Sequence, residues 1–86
     1  MKISFHRNFG KSYKKFPKKI QEQFKDRLKL FSENPFDPIL GNHALHGEYA
    51  GFRSINVTGD IRAIYKVIDE SSTEFALLDS HSNLYS

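Results

Sequence analysis

The apolar positions of this chain change period along its length. Lys2 to His6 alternates, with Ile3 and Phe5 on one side, which predicts a short strand. Asn8 then suits the N-cap of a helix running to about Phe16. Pro17 fits the first turn of a second helix, where its missing N–H costs nothing. Ile20, Phe24, Leu28 and Phe31 recur at i, i+4, i+8 and i+11, an apolar stripe whose opposite face is Lys, Gln, Glu and Asp. The helix should stop at Asn34, because the residue before Pro35 is pushed out of the α region.

Residues 34–51 carry two prolines and several turn formers and read as a long loop, a feature that in small domains is usually functional. Three strand-like runs follow: Phe52–Val57, Ile61–Ile68 and Thr73–Ser80. The turn signals between them are Thr58-Gly59-Asp60 and Asp69-Glu70-Ser71-Ser72. Short turns between sequential strands predict an antiparallel meander. The expected fold class is therefore α+β: an N-terminal strand, a helical hairpin, then an antiparallel three-stranded meander packed on the helices. In the middle strand Ile61, Ala63, Tyr65 and Val67 make the better core face. Arg62 and Lys66 then project from the open face, and Asp60 shares their parity and is placed to pair with Arg62. In the last strand both parities are apolar enough that alternation does not choose between them.

Eighty-six residues make a single domain, 1–86. No run of about 18 apolar residues is present, so no membrane span is expected. The absence of Cys excludes thiol catalysis and cysteine-based metal sites. Met1 to Ser4 leads straight into patterned sequence without an apolar signal region, so the expected location is the cytoplasm. The net charge of +3 hides an asymmetry. Residues 1–29 hold ten basic and two acidic side chains, whereas residues 30–86 hold three basic and eight acidic ones. Such a one-sided field attracts nucleic acid, an anionic membrane or an acidic protein, or it is simply a solvated lysine-rich face. His43 and His46 are three apart, but they sit on a loop without a third or fourth ligand at defined spacing, and no metal is expected.

The order of motifs resembles the RelE/ParE toxin superfamily of toxin–antitoxin systems over nearly the whole chain. The residues concerned are Phe9–Pro17 and Phe31–Pro38 around the helices, then His43-Ala44-Leu45-His46-Gly47, Gly51-Phe52-Arg53, Asp60-Ile61-Arg62 and Asp79-Ser80-His81-Ser82-Asn83-Leu84-Tyr85. The loop histidine, the Gly-aromatic-Arg step and the terminal His-Ser-x-Leu-aromatic are most similar to the YafQ-type branch. Three positions depart from that branch. Asn56 stands where a histidine is usual, Ile61 where an aromatic is frequent, and Leu77 where an arginine is common. The resemblance implies ribosome-dependent mRNA cleavage, no cofactor, and a cognate antitoxin as partner beside the ribosome and mRNA.

Metal-free RNA cleavage needs a base for the 2′-hydroxyl, an acid for the leaving 5′-oxygen and a cation for the charged transition state. Through the resemblance, His81 is expected as the acid, and Asp60 or His43 as the base. Asp60 has other possible work, orienting a histidine or Arg62, or only starting a strand after Gly59. Arg62 is expected as the transition-state cation, since a guanidinium forks onto two phosphate oxygens. Arg53 either contacts RNA or bonds loop carbonyls, because it shares parity with Ile55 and Val57. Tyr85 is a candidate for base stacking or a tail anchor. Lys66, with Lys14, Lys15, Lys18 and Lys19 on the hairpin, is expected to meet RNA phosphate. His6 and His46 are expected to be structural. The competing functions are a ParE-like poison of DNA gyrase that acts by binding alone, and a degenerate binding module, since one fold hosts many functions.

Overall fold

In the computed structural model, which describes residues 1–84, strand β1 (Lys2–Phe5) gives way to helix α1 (Arg7–Lys14) at His6. The N-cap is His6 rather than Asn8: the His6 Nδ1 accepts the Asn8 N–H at 3.0 Å. Pro17 is the N-cap of α2 (Lys18–Glu33), with extended backbone, and Asn34 ends that helix in an extended conformation. The predicted stripe faces the core, with Phe24 and Phe31 buried and Ile20 and Leu28 half-buried against them.

The segment 34–51 is more structured than its turn-rich composition predicts. It holds two single 3₁₀ turns, Pro38–Leu40 and Gly47–Tyr49, and between them the two-residue strand β2 (His43–Ala44). Strands β3 (Arg53–Asn56), β4 (Ile61–Asp69) and β5 (Ser72–Ser80) form the expected meander. The sheet has five strands, the expected N-terminal strand and meander plus the short β2, ordered β1-β5-β4-β3-β2. β1 runs parallel to β5, with Phe5 opposite Phe75, and β2 runs antiparallel to β3. Past Phe75, α1 takes over the edge of β5. The His6 N–H donates to the Phe75 carbonyl at 2.8 Å, and the Leu78 N–H donates to Ser12 Oγ at 3.1 Å.

Phe75 is the hub of the core. Its ring lies 5.3 to 6.0 Å from those of Phe5, Phe9, Phe24, Phe31 and Tyr65. Burial of one such ring contributes roughly 1.5–3 kcal/mol, and each favourable ring pair adds about 0.5–1.5. Of the residues assigned to the core face of β4, Ile61, Ala63 and Tyr65 are buried. Val67 is 57% exposed, so the helices do not cover that end of the strand.

A register shift sets the face of every residue that follows it in β5. Ile64 pairs with Leu77 and Tyr65 with Phe75, so Ala76 is the extra residue of a β-bulge. The bulge breaks alternation. Phe75 and Leu78 face the helices, while Leu77 and Asp79 turn to the opposite face with Ile64 and Arg62. That opposite face is not bare. Ile64 is 1% exposed and Ser54 fully buried, beside the buried Leu45 at the start of the turn-rich segment 45–52.

Candidate active site

Cross-strand pairing puts Asn56, Arg62 and Asp79 in one row on the face away from the helices. Adjacent members of such a row stand about 5 Å apart. The row lies at the end of the sheet where the turn 57–60 meets the end of β5. There the His81 N–H donates to the Asp60 carbonyl oxygen at 2.6 Å. His81 opens the one-turn helix α3 (His81–Leu84) and is exposed, as is Asp60. Three of the expected residues, Asp60, Arg62 and His81, are thus brought together, and Asp79 joins them.

Arg62 does not form the expected pair with Asp60. Its Nη1 donates to the carbonyls of Thr58 at 2.9 Å and Gly59 at 3.2 Å, with a longer bond to Ile61 at 3.3 Å. The turn's own carbonyls therefore hold one arm of the guanidinium. No bond from Nε or Nη2 is found among the described residues, and that edge is available to a phosphate.

His43 stands farther out. It pairs with Ser54 across β2 and β3, two strand spacings from β4, or about 10 Å. Its Nδ1 lies 2.9 Å from the Gly41 carbonyl oxygen, which orients the ring. Gly41 has φ +54°, and a Cβ there would meet Asn56 Nδ2 at 2.5 Å. Only glycine combines that conformation with so close an approach, so Asn56 is packed between Gly41 and the Arg62 strand.

Tyr49 belongs to the same face, although its sequence neighbourhood carries no sign of it. Burial pushes the phenol pKa above its usual 10.0, and the charges of Glu48 and then Asp79 push it further. Its ring meets Phe52 edge-on at 6.5 Å, and the Lys66 ammonium lies 6.0 Å from the Phe52 ring centroid. The aromatic segment 49–52 therefore folds over this face beside Lys66, with Tyr49 close enough to Asp79 to feel its charge, while Asp60 and His81 are exposed.

Arg53 points the other way. Its Nε donates to Asn42 Oδ1 at 2.8 Å and its guanidinium lies 5.4 Å from the Phe36 ring centroid, while Asn42 also donates to the Tyr65 hydroxyl at 2.7 Å. Arg53 thus ties the loop to the helix side of the sheet, away from the row of Arg62. Its bonds go to a side chain and a ring rather than to loop carbonyls. Tyr85 lies outside the described residues.

Lys14, Lys15, Lys18 and Lys19 are all exposed where α1 turns into α2. Lys18 and Lys19 occupy the first turn of α2, where cations oppose the helix dipole and no acid offsets them. This basic corner adjoins the site. A cleft of about 390 Å³ separates Lys15 and Ser12 from Asp79, Ser80 and Asn83. Among the described residues, no group of three or more His, Asp or Glu side chains is arranged to hold a metal, and no helix is long and apolar enough to cross a membrane.

The family model for the bacterial toxin of type II toxin–antitoxin systems, YafQ, matches residues 1–86. No curated protein matches the sequence. Among solved structures, YafQ from E. coli strain BL21(DE3) superposes with a TM-score of 0.80 at 23% identity, covering 98% of this chain and 97% of that one. YafQ in the E. coli DinJ–YafQ toxin–antitoxin complex gives 0.79 at 23% identity, over 98% and 96%. A conserved hypothetical protein of Helicobacter pylori gives 0.74 at 28% identity, over 99% of both chains.

Proposed function

The chain belongs to the YafQ family of bacterial type II toxin–antitoxin toxins, and from that premise we propose that it is a ribosome-dependent, metal-independent endoribonuclease that cuts translated mRNA. The observation that carries this reading is the convergence of His81, Asp60 and Arg62 at the open end of the sheet, joined by the His81–Asp60 backbone bond. In the proposed reaction a base takes the proton of a ribose 2′-hydroxyl. The 2′-oxygen attacks the adjoining phosphorus, and Arg62 stabilises the added negative charge with its free edge. The P–O5′ bond breaks as His81 gives its proton to the departing oxygen. A 2′,3′-cyclic phosphate and a 5′-hydroxyl result, and solvent exchange restores both protonation states.

The base is Asp60 or His43. Asp60 is the nearer to the acid, since its own carbonyl holds His81, whereas His43 approaches from two strands away. The basic corner at Lys14, Lys15, Lys18 and Lys19 would rest on ribosomal RNA, with mRNA reaching the open end of the sheet past Lys66. Such work belongs in the cytoplasm. The partner would be a cognate antitoxin, as DinJ is bound to YafQ in the E. coli complex. A small chain that folds on binding would suit the basic half of this surface.

Induced expression without antitoxin tests the reading. The expected outcome is growth arrest with cleaved mRNA, relieved by the antitoxin. Arrest with intact mRNA and cleaved DNA would point instead to gyrase poisoning, and normal growth to a binding module.

A further inference from the structure

We propose that Asp79 is a positioning residue: its carboxylate clasps the one-turn helix α3 and so fixes His81 over the phosphate. The proposal rests on the reading of His81 as the acid. A four-residue helix is far too short to hold itself, and no residue of this one is fully buried. His81, Ser82 and Asn83 are exposed and only Leu84 is half-buried. Polar bonds brace the helix. Asp79 Oδ1 accepts the Ser80 N–H at 2.7 Å and the Asn83 Nδ2–H at 3.1 Å, bridging the start of α3 to its third residue. Ser80 Oγ caps the same turn by accepting the Asn83 N–H at 3.2 Å. The His81 N–H is drawn to Asp60 within this frame. Arg62 lies opposite Asp79 in the sheet yet bonds the turn carbonyls, so the two charges do not consume each other and each keeps its own task. The bulge at Ala76 is what turns Asp79 to this face, and without it the carboxylate would point towards the helices.

Three variants test the clasp. Asp79→Ala removes the acceptor. Asn83→Ala removes one donor at an exposed position, so the fold survives. Asp79→Asn keeps an acceptor oxygen and removes the charge. In the free protein, exchange of the His81 amide hydrogen should speed up about ten- to hundredfold in the two alanine variants, the loss expected for one charge-assisted hydrogen bond, and about threefold or less in Asp79→Asn. In a translating system kcat should fall about ten- to hundredfold in the alanine variants with KM unchanged, and recover largely in Asp79→Asn. Unchanged amide exchange and kcat in Asp79→Ala would overturn the clasp. So would Asp79→Asn as inactive as Asp79→Ala, which would give the charge a direct part in the chemistry. If the wild type cleaves no RNA, the nuclease reading fails by itself, and the amide exchange alone decides whether Asp79 holds α3.

Discussion

The backbone of His81 is bonded to the backbone of Asp60, N–H to carbonyl, at 2.6 Å. This bond ties the end of the last strand to the turn before β4, and it involves neither side chain. The bond sets the two backbones side by side without using the imidazole or the carboxylate, and both residues are exposed. Either can be replaced without breaking the connection that brings them together.

That separation makes the base assignable. Asp60→Asn and His43→Ala should each leave stability within about 0.5 kcal/mol of wild type, as surface changes usually do. Loss of the base should lower cleavage about 10²- to 10⁴-fold, the usual contribution of a positioned proton acceptor. The variant that suffers this loss identifies the base. Cleavage within a few-fold of wild type in both would remove both residues from that role.

Arg62→Lys should separate phosphate recognition from charge. Lysine keeps the positive charge but has no second arm to offer while the first bonds Thr58 and Gly59. Single-turnover cleavage should drop about 10²- to 10³-fold, the scale of one missing transition-state donor. Denaturant unfolding should show a loss of about 1 kcal/mol or less, because the ammonium still reaches the turn carbonyls and these are not fully buried.

Tyr49 supplies a pH test of the folded face. Its phenol pKa is raised above 10.0 by burial, then by Glu48 and Asp79. A raised folded-state pKa means that the stability it reflects is present below the unfolded value of about 10 and is lost as pH rises through the folded one. Urea unfolding of wild type should therefore weaken as pH rises above about 10, and Tyr49→Phe should weaken less. Asp79→Asn should lower the Tyr49 pKa. Identical pH dependence in wild type and Tyr49→Phe would mean that the phenol is not held on this face.

The basic corner predicts a salt signature. Removing Lys14, Lys15, Lys18 or Lys19 should weaken ribosome binding and flatten the log–log salt dependence by about 0.7–1 for each phosphate no longer neutralised. Cleavage of bound mRNA should stay constant, because these lysines stand outside the proposed site of His81, Asp60 and Arg62. An unchanged salt slope would reduce the corner to a solvated surface.

The sequence carries much of this architecture openly. The stripe Ile20, Phe24, Leu28, Phe31 marks α2, and the turn signals at 58–60 and 69–72 mark the meander. What stayed hidden depends on pairing between distant segments. The two residues of β2 are too few to show a period, and they form a strand only because β3 offers them an edge. The parallel pairing of β1 with β5 joins the two ends of the chain. The bulge at Ala76 reverses the faces of Leu77 and Asp79, so the Asn56–Arg62–Asp79 row cannot be read from alternation. The order of motifs singles out His81, Asp60 and Arg62 as candidates, and strand register with the His81–Asp60 backbone bond places them at one end of the sheet, whereas Tyr49 is visible only once its loop lies across the sheet. Arg53 follows its parity with Ile55, and its bond to Asn42 and its stacking on Phe36 explain why an arginine occurs there.

The central claim is that this chain cuts mRNA as it is translated, with His81 as the acid. The most direct measurement maps 5′ ends on a reporter mRNA in cells that express the wild type or His81→Ala without antitoxin. New ends confined to the translated region, made by the wild type and absent with a stably folded His81→Ala protein, are the predicted result. Growth arrest with intact mRNA, or the same cleavage with both proteins, would contradict it.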